Sequence, residues 1–595
     1  MSKDRSNLDN LRHSASHLLA AAVLQMWPDA KPTLGPPIEN GFYYDFDFGK
    51  AKITEEDLPK IEEKMHEIAE SWKGFEEEKV TAEKAKEYFK DNTYKTEMIK
   101  ELADKKKDIT FYKSGDFIDL CGGGHIDDPK DKLKHFKLLS IAGAYWRGDE
   151  KNKMLTRIYG TIFPAEKELS EYLENLEEAE KYNHRTLGKE MELFAIFPEI
   201  GPGLPVWLPK GYAMRRVLED YMIKLERGFG YEHILSPHIN KEDLFKTSGH
   251  LGFYDESMYA PIEIEDQKYY LKPMNCPAGM TVYKMKTRSY RDLPIKLGEF
   301  GTVYRFEKTG ELHGLQRVRG FTQNDAHIFC TKEQLVDQIQ EVIDMMLIFY
   351  KDLGFKKYKF VLALSDPEKE KYKFCGSREG WDWAENTLRE VLKNNNLEFT
   401  EKVGDAAFYG PKIDVLAENV YGKSDAISTV QIDFNLPERF DLSFVNEKGE
   451  NERPYVIHRA LVGSFERFFA FLIEYYKGSF PVWFAPVQAK ILPITDRNLK
   501  YAKGIMSELK DQDIRVELDD RSETLGNKIR QAQEEKVPYM LIVGDKEASS
   551  PEGFKPGGKN LVSVRLRSEK NLGQMDFGEF IDNLKKKVNE KSVDL

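Results

Sequence analysis

Between about residues 200 and 480, strand-like and helix-like runs follow one another without regular βαβ alternation; from about residue 484 they alternate. The first pattern predicts an antiparallel-rich α+β domain, because each parallel pair needs a crossover, usually a helix. The second predicts a separate α/β domain of roughly 110 residues. Its elements are strand Ala489–Ile494, a helix to about Leu509, strand Ile514–Leu518, a helix to about Glu535 and strand Tyr539–Val543. At 595 residues the chain exceeds what one core organises, so three or four domains are expected.

Ahead of residue 200, Leu11, Ala15, Leu18, Leu19 and Ala22 recur at helical spacing until Trp27-Pro28 stops the pattern. A β-rich stretch follows around Gly35-Pro36-Pro37 and Gly41 to Tyr44, then charged helices to about Asp108. A second β-like stretch carries Cys121–His125 and Ala142–Trp146. Glu166 to Phe194 predicts a charged surface helix joining two domains. The expected boundaries are 1–165, 166–199, 200–483 and 484–595, with the Lys-rich end after Leu584 a solvated helix or frayed tail.

No apolar run approaches the roughly 18 residues of a membrane span, and the N-terminus lacks a signal-peptide core. Cys121, Cys276, Cys330 and Cys375 are scattered without disulfide-like spacing. A cytoplasmic protein without a membrane partner is expected. The net charge of −12 argues against indiscriminate nucleic-acid binding but leaves room for RNA on local basic surfaces. There is no Walker loop and no G-x-G-x-x-G, so a Gly-rich phosphate loop has no support.

Two clusters of soft ligands stand out. His13 and His17 are four apart on a predicted helix and share a face. With Cys121 and His125 they could make a tetrahedral Zn²⁺ site, or a metal-free pocket whose imidazoles shuttle protons during hydrolysis. The bland alternative is a surface histidine pair and an unrelated cysteine; Gly122-Gly123-Gly124, which lets backbone approach a ligand closely, weighs against it. The second cluster is dispersed: Cys276, His327 and His458. One cysteine and two histidines would leave zinc an open position, as catalysis requires, but spacing alone does not bring them together.

Arginines form a third constellation. Gly301–Glu307 and Leu312–Gln323 predict a hairpin with Arg305 before its loop, and alternation would put Arg317 and Arg319 on one strand face. A further arginine, Arg467, follows Gly463-Ser464-Phe465-Glu466 at the start of an apolar helix. Arginine forks onto phosphate oxygens, although surface salt bridging is the usual fate of any single one.

At these residues the chain resembles the class II aminoacyl-tRNA synthetases, specifically the bacterial threonyl-tRNA synthetases. The arginine hairpin is similar to class motif 2, Gly463–Phe468 to motif 3, and Pro237 to the motif 1 proline at the dimer interface. Lys272-Pro273-Met274-Asn275-Cys276-Pro277, Phe408-Tyr409-Gly410-Pro411-Lys412 and Ala142–Asp149 extend the likeness over the whole chain. The resemblance implies an α+β editing domain, a class II antiparallel-sheet catalytic domain and an α/β anticodon-binding domain. It implies a homodimer that joins L-threonine to tRNA(Thr) with ATP and Mg²⁺.

By the same resemblance Cys276, His327 and His458 hold one catalytic Zn²⁺ per subunit. Arg305 grips the α-phosphate, Arg467 the γ-phosphate end, and Glu307 contacts the adenine region, with Arg317 alongside. Met274, Gln323, Asp325, Tyr409, Lys412 and Gln431 belong to the substrate site. A site that engages a hydroxyl rejects valine, whereas serine lacks only a methyl group and leaks through. His13, His17, Cys121 and His125, with Tyr44, Lys95 and Asp119, then match the family's pocket for hydrolysing Ser-tRNA(Thr), which works without metal. Arg521, Glu523, Glu547 and Arg565 fall where anticodon bases could be met.

Three departures accompany the likeness. The family usually starts with a small ubiquitin-like domain, and this sequence starts at the editing segment. Where the family has Asn-Cys-Pro-Gly-His, this chain has Asn275-Cys276-Pro277-Ala278-Gly279-Met280; Ser522 replaces an anticodon-reading asparagine. Two rivals remain: a non-catalytic RNA-binding regulator, against which the intact arginines and ligands argue, and a synthetase for serine or proline.

Overall fold

The computed structural model describes residues 3–149, 151–366, 368, 377–418, 424–548 and 553–595; Cys375 lies outside them. The chain forms two compact units, Met1–Glu178 and Ala179–Leu595. The division falls within the helix Glu166–Lys181, and a second helix, His184–Glu190, follows, capped by Asn183. One helix was expected through Phe194; the break at Asn183 follows from a side chain that prefers to cap.

In the first unit the helix Lys3–Met26 buries Leu11, Ala15, Leu18, Leu19 and Ala22, the stripe that predicted it. It packs on the helix Leu58–Ser71 and on a sheet ordered Lys31–Pro32, Gly41–Asp47, Met154–Phe163, His135–Tyr145. A smaller antiparallel sheet joins Glu76–Lys79, Thr110–Ser114 and Phe117–Leu120. Cys121–His125 is not a strand, contrary to expectation: Gly123 and Gly124 take φ of 93° and 90°, which ends the ladder after Leu120.

The second unit is built on an eight-stranded sheet. Its order is Glu232–His233, Ile295–Tyr304, Gly320–Cys330, Tyr455–Ser464, Ser424–Asp433, Lys412–Glu418, Tyr358–Leu364, Phe399–Val403. All inner pairs are antiparallel, as expected; only the two edge strands pair parallel. The helix Leu335–Asp352 buries Leu335, Ile339, Val342, Ile343, Met346 and Phe349 against it. Each such side chain contributes about 1.5–3 kcal/mol by leaving water. One face of the central strands is therefore fixed by the core, and the other can carry polar groups.

Further along, Val516–Leu518, Ala489–Pro493 and Tyr539–Val543 form a parallel set as predicted. The antiparallel strands Leu561–Leu566 and Asn571–Asp576 extend it, and the helix Phe577–Asn589 closes the chain. The Lys-rich end is thus largely helical, anchored by Phe577, Phe580, Ile581 and Leu584.

Candidate active site and candidate hydrolytic pocket

The central strands bring the dispersed cluster together. His327 stands directly opposite His458 in the antiparallel ladder, and His458 opposite Gln431. Cys276 opens the helix Cys276–Lys284 and is buried. One ligand atom from each of Cys276, His327 and His458 lies within 4.8 Å of the others. The imidazoles meet edge to face at 4.8 Å.

The donor set suits a divalent metal. His327 Nε2 is buried without a hydrogen-bond partner, and burial pulls its pKa down to about 4, leaving a lone pair on a neutral ring. His458 Nε2 lies 2.8 Å from Asp433 Oδ2, which leaves Nδ1 for the cluster; a carboxylate behind a histidine is a common support for metal ligands. Burial, and then Asp325 and Asp433, push the Cys276 thiol well above its usual range. A bound cation reverses that preference and favours the thiolate. Gly279 also matters, since a Cβ there would lie 3.1 Å from His327 Nδ1.

A cavity of about 350 Å³ opens beside the cluster, lined by Met274, Cys276, Arg305, Gln323, Asp325, Tyr409, Gln431 and His458 among others. Tyr409 stacks on His458 at 4.9 Å and donates to Gln431 Oε1 at 2.7 Å. A second cavity of about 350 Å³ is lined by Arg305, Glu307, Arg317, Gln323, Gly463, Ser464 and Arg467. Arg305 and Gln323 line both, so the two spaces adjoin at the side chains suited to a phosphate and a polar substrate. Arg467 sits in the first turn of the helix Phe465–Tyr475, where Ser464 accepts from its amide at 3.2 Å.

One expectation is corrected here. Arg317 and Arg319 precede the strand Gly320–Cys330 and do not share its face; they belong to the connection after Tyr304. Glu307 holds them there: its carboxylate accepts from Arg317 Nε at 2.8 Å and its carbonyl from Arg319 Nε at 2.9 Å. Lys412 faces Gln431 across the ladder but lines neither cavity, and its ammonium pairs with Asp414. Sequence reasoning missed Asp433, although two-residue alternation from Gln431 places it on the same face. It also missed the buried His250, whose Nε2 lacks a partner; no spacing signals it.

The first unit assembles the other cluster. Cys121 Sγ is 3.5 Å from His13 Nε2 and 3.3 Å from His125 Nε2; His17 closes the group edge to face with His125 at 4.6 Å. Behind it Lys95 Nζ lies 2.5 Å from Asp119, and Tyr44 Oη donates to Asp119 at 2.5 Å. These four donors also lie within 4.8 Å of one another, so geometry alone would admit a metal. Burial, then His17 and His13, depress the His125 pKa to about 2; burial and His13 hold His17 well below its usual range. Burial raises the Cys121 thiol to about 11. The pocket is therefore a set of neutral bases around a protonated thiol.

A pH dependence follows. In the unfolded chain these histidines take protons below about pH 6.5, while the folded unit resists protonation. Their contribution is complete above about 6.5 and is lost as pH falls toward the folded values. In metal-free protein, amide protection factors in Met154–Phe163 are expected to fall between pH 7 and pH 5. His125→Gln should flatten that slope by up to about 1.4 kcal/mol per pH unit; an unchanged slope contradicts the reading.

Of the four expected anticodon residues, Arg521 and Glu523 line one cavity with Thr495, Asp520, Ser522 and Lys528. Glu547 and Arg565 do not line it; Glu547 accepts from Ser563, Gln574 and the Gly544 amide. Among the described residues no helix is long and apolar enough to cross a membrane.

Comparison with known proteins places these features in context. Residues 259–476 match the tRNA synthetase class II core domain (G, H, P, S and T), and residues 488–587 match the anticodon binding domain. Residues 109–159 match the second additional domain of threonyl and alanyl tRNA synthetases. The chain is 46% identical to the threonine–tRNA ligase of Sulfurihydrogenibium sp. over 99% of its own length and 90% of that protein. It is equally similar, at 46%, to the Dehalococcoides mccartyi (strain BAV1) enzyme over 100% and 99% of the two chains. Among solved structures, the RNA binding domain of threonyl-tRNA synthetase from Cryptosporidium parvum superposes with TM-score 0.63 at 35% identity, covering 68% of this chain and 98% of that one. Giardia lamblia prolyl-tRNA synthetase, at 19% identity and TM-score 0.53 over 69% of this chain and 80% of that one, shares the fold.

Proposed function

From the premise that this chain belongs to the threonine–tRNA ligase family, we propose that it activates L-threonine with ATP, transfers it to tRNA(Thr) and hydrolyses mischarged Ser-tRNA(Thr). The observation that carries the reading is the convergence of Cys276, His327 and His458 beside a cavity that continues into an arginine-lined one.

Cys276, His327 and His458 would hold Zn²⁺, which supplies a Lewis-acidic site for the amino group and hydroxyl of threonine. Gln323, Asp325, Tyr409 and Gln431 orient the amino acid, with Met274 beside the cysteine. Arg305, at the junction of the two cavities, neutralises the α-phosphate while the threonine carboxylate attacks phosphorus and diphosphate leaves. Glu307 and Arg317 flank the nucleotide base, and Arg467 meets the γ-phosphate end, with Mg²⁺ neutralising phosphate charge. Positioning and charge neutralisation lower this barrier. A terminal tRNA hydroxyl then attacks the activated carbonyl and AMP departs. Lys412 holds the strand beside Gln431.

In the first unit His13, His17, Cys121 and His125 would direct water onto the seryl ester, with Lys95, Asp119 and Tyr44 ordering the approach. We read this pocket as metal-free. His17→Ala and Cys121→Ala should leave threonine-dependent ATP–diphosphate exchange within about twofold of the parent while slowing Ser-tRNA(Thr) deacylation by about 10²-fold or more. Undiminished deacylation in both variants removes the assignment.

The domain reading follows as 1–165 for editing, 166–199 for the link, 200–483 for catalysis and 484–595 for the anticodon. Arg521 and Glu523, which share one cavity, together with Glu547 and Arg565 are the residues proposed for base contacts. A cytoplasmic homodimer completes the proposal. Leu235, two residues before Pro237, is 81% exposed, and Ile239, Ile262 and Ile264 are also open; exposed apolar side chains of this kind suit a self-complementary interface. Leu235→Asp should shift sedimentation from dimer to monomer; a parent protein that sediments as a monomer rules the dimer out.

A further inference from the structure

The ladder between Gly320–Cys330 and Tyr455–Ser464 slips once. Gln323 pairs with Ser464 and Asp325 with Ala460, so Leu461, Val462 and Gly463 face Asn324 alone. Such an interruption leaves strand amides without their usual carbonyl partners. Here the Asn324 side chain fills the gap: its Oδ1 accepts from the Leu461 amide at 3.2 Å and from Arg459 Nη1 at 2.9 Å. Its Nδ2 donates to Glu226 Oε1 at 2.7 Å, and Arg459 Nη2 donates to the same oxygen at 2.6 Å. His233 Nε2, on the edge strand, lies 2.6 Å from Glu226 Oε2.

Asn324, Arg459 and Glu226 are fully buried; Arg459 also borders the first cavity, and none of the three is a metal ligand or substrate contact named above. Their neighbours are: Arg459 follows His458, Asn324 separates Gln323 from Asp325, and the slipped segment ends at Ser464, which caps the helix of Arg467. The slip could lie elsewhere along the strand unless something pins it. A carboxylate, an amide and a guanidinium joined by hydrogen bonds out of water can do so, because breaking any link strands the others.

We propose that Glu226, Asn324 and Arg459 are positioning residues that pin this slip and thereby set His458 for the metal and threonine. The inference rests on assigning Cys276, His327 and His458 to Zn²⁺. Glu226, reached through His233, also ties the edge strand of the motif 1 segment to the same point.

The test measures zinc affinity, by competition with a chromophoric chelator, together with KM for threonine in ATP–diphosphate exchange. Asn324→Ala should weaken zinc binding by about tenfold or more, the usual scale for a lost supporting contact, and raise the threonine KM. Asn324→Ser, too short to span from Leu461 to Glu226, should move both in the same direction if the alanine variant does not fold. Glu226→Ala should resemble Asn324→Ala. Glu226→Gln keeps an oxygen that accepts from Arg459 and Asn324 but removes the guanidinium's buried counter-charge, so its losses should be smaller than those of Glu226→Ala without matching the parent. Zinc affinity and KM within about twofold of the parent in folded Asn324 variants, or equal losses in the two Glu226 variants, would overturn the proposal. A parent protein that binds no zinc would overturn the metal assignment itself, and the positioning role with it; zinc binding by the parent with no change in the variants removes the positioning role alone.

Discussion

Cys276→Ala is expected to lower kcat/KM for threonine-dependent ATP–diphosphate exchange by about 10³-fold or more. Cys276 is the only sulfur in the cluster and the only member not carried on the sheet. Its loss leaves two buried imidazoles, of which His327 Nε2 already has no hydrogen-bond partner. Two imidazole nitrogens alone make a poor substitute for a three-ligand set. The effect should fall on activation, and hydrolysis of Ser-tRNA(Thr) should persist, because the pocket proposed for it lies in the other unit. Exchange within about tenfold of the parent would mean that the cysteine only packs against Met280, Tyr283 and Phe329, as a buried thiol often does.

The second large effect is selectivity. Valine should be activated about 10⁴-fold less efficiently than threonine, and serine only about 10–200-fold less. Valine matches threonine in shape but offers no hydroxyl, so the polar groups around His458, Asp325 and Gln431 would be buried without their partner. Serine satisfies them and forfeits one methyl contact. The asymmetry would give the proposed hydrolytic pocket of His13, His17, Cys121 and His125 its use: the error that the first site lets pass is the one that hydrolysis must remove. Comparable activation of valine and serine would contradict this division of labour.

Periodicity made the antiparallel central domain and the alternating C-terminal elements legible, because one buried face per element imposes its repeat on the sequence. Pairing was not legible. His327 and His458 are 131 positions apart, and only the ladder register sets them opposite one another; alternation indicates which face a residue takes, not which strand lies beside it. Family likeness supplied that link. Local chemistry explains the misses: Gly123 and Gly124 turn Cys121–His125 out of the strand, and Glu307 anchors Arg317 and Arg319 in a connection that reads as strand. The slip at Asn324 leaves no trace in composition or spacing, since it depends on Glu226, 98 positions earlier.

Zinc-edge X-ray absorption on the Cys121→Ala protein, before and after adding threonine or valine, bears most directly on the account, since that background leaves Cys276 as the expected sulfur ligand. The prediction is one zinc per chain with a single sulfur at about 2.3 Å and two imidazole nitrogens at about 2.0–2.1 Å, and a first shell that threonine changes and valine does not. A protein that retains no zinc, a shell without sulfur, or a shell indifferent to threonine would contradict it.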